Sequence, residues 1–240
     1  MIIKDFMNIM QNIAPIETAE PWDNVGLLVG NPETELQKVL MTVNVTPAVI
    51  AEAVRIGANC ILSHHPLLFS GTKAVRADDY EGRLITSLIK NDIALYAAHT
   101  NLDAAEGGVN DCLAQKLDLT VTEKTPYLRV GTVRRQTVGD LLLTVKEFIN
   151  PQAVFYGSID REITNIATAA GAGGEFAKEA AEMGAEVLVT GEMKHHERLE
   201  AQALGLDVIL TGHEESERWV LAPLQKRLEQ QGVPCIVTKV

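Results

Sequence analysis

Residues 46–66, TPAVIAEAVRIGANCILSHHP, hold one complete helix-to-strand unit and decide the fold class. Thr46 supplies an N-cap oxygen and Pro47 suits the first helical position. The helix runs to about Ile56, where Gly57 provides the left-handed residue that closes it. Cys60-Ile61-Leu62-Ser63 then reads as a buried strand, because a short apolar run bounded by Gly57 and Pro66 matches a strand covered on both faces. His64 and His65 end that strand. Successive strand side chains point to opposite sides, so the pair can serve two separate points in a site, which suggests two metal ions. A histidine pair on its own is more often a polar strand end whose imidazoles bond to backbone; residues far downstream reverse that reading.

Working outward, the same alternation extends in both directions. Ile2, Ile3, Phe6, Met10 and Ile13 fall at helical spacing, and strands are expected after Asn24 and over Lys38–Val43. A helix from about Asp78 to Asn91 leads into a strand from Ile93 to His99, and Gly107-Gly108 opens a further helix toward Leu117. Between Val121 and Arg135 the periodicity weakens around Pro126, which marks a domain boundary. The pattern restarts with helices at 138–149, 176–183, 195–204 and 214–230, and strands at 163–169, 187–190, 208–211 and 235–238. These elements predict an α/β protein of two α/β domains with mostly parallel or mixed sheets. The first, metal-binding domain is expected to be discontinuous, 1–124 with 213–240, the second to span 125–212, and the metal site to lie in the cleft between them.

Composition agrees with this architecture. A chain of 240 residues with 46% hydrophobic and 5% aromatic content can bury full cores in parallel sheets. The net charge of −11 disfavours nucleic acid and anionic membranes as partners, since both require a basic footprint. Cys60, Cys112 and Cys235 are odd in number and set among apolar residues, the pattern of reduced thiols in a cytoplasmic protein. The amphipathic N-terminus is no secretory signal, and no run approaches the roughly 18 apolar residues of a membrane span.

Two further constellations join the histidine pair. Gly212-His213-Glu214-Glu215-Ser216-Glu217 follows a strand and opens a helix, so His213 and Glu217 share one helical face, a spacing by which two side chains grip one metal or bridge two. His99-Thr100-Asn101-Leu102-Asp103 sits at another strand end; Asp103 is a candidate ligand, and His99 a ligand, a residue that orients a ligand, or a proton carrier. Each motif also has a plain structural use, in helix N-terminal charge or an Asx turn. Their convergence on strand C-terminal ends, the edge where open α/β sheets carry their sites, is the argument for one centre. His64, His65, Asp103, His213 and Glu217 form a thiolate-free set suited to zinc, iron, manganese, nickel or cobalt, and five ligands exceed one tetrahedral zinc but suffice for two ions with Glu217 bridging. Gly171-Ala172-Gly173-Gly174, between strand and helix, could expose backbone N–H groups to a phosphate, but it lacks the third glycine of a dinucleotide fingerprint, with Phe176 in its place, and reads rather as a tight turn. Lys73 and Arg76 are surface charges or an entrance for an anionic substrate, and Glu192, His195 and His196 rank below the five ligands.

Trp22-Asp23-Asn24-Val25-Gly26-Leu27, Ser63-His64-His65-Pro66, His99-Thr100-Asn101-Leu102-Asp103, Thr190-Gly191-Glu192 and Gly212-His213 with Ser216-Glu217 resemble, in order and over essentially the whole chain, the signature blocks of the GTP cyclohydrolase I type 2-like family, also called Nif-three-like. The resemblance implies a two-domain α/β protein, a toroidal homohexamer and two divalent metals per subunit. It places the family's ligands on His64, His65, Asp103, His213 and Glu217, and it implies that this short chain lacks the extra domain some members insert between the halves.

The expected function is therefore that of a dinuclear divalent-metal protein, a metal-dependent hydrolase of GTP cyclohydrolase type acting on a nucleotide or related small molecule. His65 and Asp103 would hold one ion, His64 and His213 the other, Glu217 would span them, and His99 would be the catalytic proton carrier. The alternative is a non-catalytic hexameric metal-binding scaffold or regulator with protein partners.

Overall fold

A computed structural model describes residues 1–240. In chain order the elements are α1 (Ile3–Ile13), β1 (Gly26–Val29), β2 (Val39–Thr42), α2 (Pro47–Ile56), β3 (Cys60–Ser63), α3 (Tyr80–Lys90), β4 (Ala94–Ala97), α4 (Thr100–Ala104) and α5 (Val109–Lys116). They continue with β5 (Thr120–Lys124), β6 (Arg129–Thr137), α6 (Val138–Phe148), β7 (Val154–Tyr156), β8 (Glu162–Ala169), α7 (Ala177–Glu182), β9 (Val187–Thr190) and α8 (His195–Ala203). The last are β10 (Asp207–Leu210), α9 (His213–Glu217), α10 (Leu221–Gln230) and β11 (Cys235–Val237). No helix is long and apolar enough to cross a membrane. The chain divides into two compact units, Met1–Ala105 with Leu221–Val240, and Glu106–Val220.

The first unit is built on a five-stranded sheet of order β1-β4-β3-β2-β11, parallel except for the antiparallel edge strand β1. Thr46 caps α2 by accepting from the Val49 N–H at 3.2 Å, and Gly57 ends that helix at φ 68°. Leu40, Ile61 and Leu95, on neighbouring strands, form one core with Val49, Ile50 and Ala53 of α2 and Leu84 and Leu88 of α3. On α1, Phe6 meets Tyr96 of β4 edge to face with centroids 5.4 Å apart. Burial on both faces is why β2, β3 and β4 read as apolar runs rather than alternations.

The second unit carries a six-stranded mixed sheet of order β5-β6-β8-β9-β10-β7, in which β8, β9 and β10 are parallel and the outer pairings antiparallel. Alternate residues feed two cores. Ile166, Val187, Val189 and Ile209 pack with Val138, Leu141 and Val145 of α6, while Ala167, Leu188 and Val208 pack with Ala177 and Ala180 of α7 and Ala201 of α8. Thr137 and Asp140 close a capping box on α6, with Asp140 N donating to Thr137 Oγ1 at 3.1 Å and Thr137 N to Asp140 Oδ2 at 3.1 Å.

Three features differ from the sequence reading. The stretch where periodicity weakens is the β5–β6 hairpin: every residue of β5 is exposed, so an edge strand with no buried face offers no alternation to read. The single helix expected over 214–230 is broken into α9, a 3₁₀ turn at Arg218–Val220, and α10. The chain also passes from one unit to the other at 105/106 and 220/221, against the expected 124/125 and 212/213. Leu113 and Ala114 of α5 join the α6 core, which draws 106–124 into the second unit. His213 and Glu217 belong to that unit as well.

Candidate metal centre

In the first unit, three neighbouring parallel strands end side by side. The His64 N–H donates to Thr42 O at 3.0 Å, His65 N to Val43 O at 2.9 Å, and Ala98 N to Ser63 O at 3.0 Å, extending the ladder just past the strands. That pairing delivers His64 and His65 from β3 and His99 from β4 to one place. One ligand atom from each of the three lies within 4.8 Å of the others. Asp103 follows one turn along α4, with its Oδ1 3.6 Å from His64 Nε2.

Each imidazole is oriented through its other nitrogen. His64 Nδ1 donates to Ala98 O at 2.8 Å, His65 Nδ1 to Asn44 Oδ1 at 2.7 Å, and His99 Nδ1 to Asp23 Oδ1 at 2.9 Å. An imidazole that donates from Nδ1 to an oxygen is in the tautomer that offers its Nε2 lone pair, the arrangement by which histidines ligate metals. Burial would raise the Asp23 carboxyl, but hydrogen bonds from His99 and Thr100 outweigh it and hold that carboxyl well below the usual carboxylate range. Asp23 thus stays an anion behind His99.

In the second unit the parallel strands β8, β9 and β10 are followed, one or two residues on, by Gly171, Gly191 and Gly212. Glu192 N donates to Gly171 O at 2.8 Å and Gly212 N to Gly191 O at 3.1 Å, which laces the three loops together. His213 and Glu217 lie on one face of α9, with His213 Nε2 3.1 Å from Glu217 Oε1 and His213 Nδ1 3.2 Å from Glu192 Oε2. The Glu217 hydrogen bond pushes His213 up to about 9 against its burial, with the Glu217 charge and Glu192 adding to the effect. Ser216 is fully buried between; its Oγ accepts from Gly171 N at 2.8 Å and donates to His213 O at 2.6 Å. Gly171 has φ 63°, and a Cβ there would run into Glu217 Oε1 and come to 3.3 Å from His213 Nε2. The glycine is required both for its backbone conformation and for the space the Glu217 carboxylate occupies.

The donor chemistry fits a divalent transition ion. Imidazoles held in the ligating tautomer sit with a carboxylate in the first unit, an imidazole and a carboxylate pair in the second, and the cysteines stand apart from both. Cys60 is a core thiol pushed up to about 12 by burial. The lower-ranked residues have local partners: His195 Nδ1 lies 2.9 Å from Arg198, exposed His196 lies beside Glu197, and Arg76 pairs with Asp78. The glycine run at 171–174 is a packed turn, since a Cβ on Gly173 would meet Thr190 Oγ1 at 2.8 Å and one on Gly174 would meet Met193 Cα at 2.8 Å. Sequence reasoning did not find Asn44 or the support that Asp23, Ser216 and Gly171 provide. Asp23 and Ser216 stand within the signature blocks, Asn44 and Gly171 stand outside them, and no recognisable spacing marks any of the four.

Comparison with known proteins gives a consistent result. The chain is 36% identical to a GTP cyclohydrolase 1 type 2 homolog of Clostridium perfringens, over 96% of this chain and 92% of that protein. It is 30% identical to NIF3-like protein 1 of Drosophila melanogaster over 88% of this chain and 76% of that one. Among solved structures it superposes on Staphylococcus aureus protein SA1388 with TM-score 0.91 at 28% identity, covering 100% of this chain and 97% of the other. Reduced HcgD from Methanocaldococcus jannaschii matches with TM-score 0.88 at 28% identity, covering 100% and 98%. The family model for Duf34/NIF3 (NGG1p interacting factor 3) matches residues 1–240, and the chain belongs to that family.

Proposed function

We propose that this protein is a dinuclear metal-dependent hydrolase acting on a nucleotide or a related small molecule, with His64, His65, Asp103, His213 and Glu217 as the ligands of two divalent ions. The observation that carries the reading is the clustering of one ligand atom each from His64, His65 and His99 within 4.8 Å, with Asp103 Oδ1 3.6 Å from His64 Nε2, a convergence that a merely polar strand end does not require. Bound there, the ions would lower the pKa of a water molecule and polarise a carbon or phosphorus centre. The chain's own residues do the remaining work. Glu217 presents its carboxylate beside His213, 3.1 Å from its Nε2, in space that Gly171 leaves open. His99 moves a proton at Nε2, while Asp23 fixes the ring through Nδ1. The name of the Clostridium relative supports GTP-type ring opening as the first activity to assay.

Metal analysis of protein purified without chelators is expected to give about two divalent ions per chain, falling to about one or fewer in His65→Ala and in Glu217→Gln. Metal near zero in the parent protein, or full occupancy in both variants, would overturn the ligand assignment. We further propose a homohexameric ring, which buries apolar surface without leaving an open end; light scattering should return six subunits, and a monomer at micromolar concentration refutes it.

A further inference from the structure

Trp22 and Phe69 are large aromatic side chains exposed to 58% and 51%, and they lie against each other with ring centroids 5.7 Å apart. Both also lie 6.2 Å from the His99 ring, each meeting it edge on, so the pair borders the imidazole cluster. Isolated exposed aromatics are common on protein surfaces and carry no message. These two are held in place, and that sets them apart.

The residues on either side of Trp22 are pinned. Asp23 N donates to Glu20 O at 2.9 Å, and Glu20 N donates to Thr100 Oγ1 at 3.0 Å. The Asp23 carboxylate, fully buried, accepts from His99 Nδ1, from Thr100 N at 3.0 Å and from Thr100 Oγ1 at 2.5 Å. Asn24 Nδ2 donates to Leu68 O, which ties the Trp22 segment to the residue preceding Phe69. An exposed indole is thus carried on a rigid segment next to an exposed phenyl ring on a tethered loop. Large apolar surface kept rigid and uncovered costs solvation free energy in the free protein and lowers the ordering cost when a flat ligand covers it.

We propose that Trp22 and Phe69, whose ring planes are tilted 58° to each other, form an aromatic platform that receives the planar heteroaromatic ring of the ligand beside His99, stacked on one ring and packed against the other. The proposal rests on the hydrolase reading and names the ring-binding part of the same site. Stacking reads a π-face rather than a hydrogen-bonding pattern, so the platform accepts different bases with similar affinity and leaves discrimination to other contacts. The two aromatics also place the ring within reach of the histidine to which proton transfer is assigned.

The test uses full-length protein, zinc-loaded and chelator-treated, titrated with guanosine, adenosine and ribose 5-phosphate. The chain has two tryptophans, so in the Trp219→Phe variant Trp22 is the sole indole reporter. Both nucleosides are expected to quench Trp22 fluorescence and ribose 5-phosphate is not. Calorimetry should show each of Trp22→Ala and Phe69→Ala weakening nucleoside binding about tenfold with metal content unchanged. Both side chains are half exposed, so neither replacement removes core packing. Equal affinity in parent and variants, or nucleosides indistinguishable from ribose 5-phosphate, overturns the proposal. So does a change of oligomer size in either variant without nucleoside binding by the parent, which would make the pair a contact with a second copy. Two ions per chain with no nucleoside binding removes the platform and leaves the metal reading standing. Nucleoside quenching that persists in protein without metal supports the platform independently of that reading.

Discussion

Replacing His99 with alanine is expected to lower turnover of the metal-loaded protein about 10²- to 10⁴-fold, the range for loss of a general acid or base, while metal content and oligomer size stay near those of the parent. The expectation comes from the Asp23–His99 pair. Asp23 holds the ring through Nδ1 at 2.9 Å and is itself fixed by two bonds from Thr100, so Nε2 points one way and an imidazolium formed there meets a fixed anion. Asp23→Asn keeps the shape and removes the charge, and it should lower turnover in the same direction with metals retained. Because a ligand atom of His99 also lies within 4.8 Å of those of His64 and His65, metal content must be measured on the same preparation. Metal lost from His99→Ala would make it a ligand. Turnover unchanged with metals intact would remove the proton-transfer role.

What could be read in the sequence was what local chemistry fixes. The helix over residues 47–56 announced itself because Thr46, Pro47 and Gly57 each solve a problem of helix ends within a few residues. The strand before His64 announced itself because it is buried on both faces. His64, His65 and His99 could be placed together because parallel strands of one sheet end at one edge, and β3 and β4 are neighbours. The remainder depends on contacts that spacing does not encode. Asp23 and His99 are 76 positions apart, and nothing in Trp22-Asp23-Asn24 says which imidazole its carboxylate will hold. The β5 strand has no buried face, so it leaves no periodicity. The single helix read over 214–230 passed over Pro223, which sits in the first turn of α10, and so missed the 3₁₀ break at Arg218–Val220 where the chain passes back to the first unit. That is why His213 and Glu217, expected in the first domain, fall in the second compact unit, where they share one face of α9 at the expected His-x-x-x-Glu spacing.

The β5–β6 hairpin that sequence periodicity missed is anchored by a charge pair whose arginine is buried, and leaving that arginine unpaired is expected to cost about 3 kcal/mol. The Arg129 side chain is 2% exposed, against 26% for Asp111 of α5. Its Nε donates to Asp111 Oδ1, and a terminal nitrogen donates to Thr125 O at 2.7 Å and Leu128 O at 3.1 Å. The second Asp111 oxygen accepts from Gly107 N at 2.7 Å. Asp111→Ala leaves the guanidinium buried beside carbonyls alone, so urea denaturation should show a loss of that size. The double variant Asp111→Ala with Arg129→Met should lose less than the single one, because no uncompensated charge remains. Burial would raise the Asp111 carboxyl, but the hydrogen bonds from Arg129 and Gly107 outweigh it and hold the carboxyl below its ordinary value. The unfolded chain therefore takes up the proton at higher pH than the folded one. The contribution is fully present above the unfolded value of about 3.9 and is lost as pH falls through the folded value. The stability gap between parent and Asp111→Ala should accordingly be widest near neutrality and shrink on acidification below about pH 4. A gap that stays constant across that range would show that the hairpin is held by packing rather than by the ion pair.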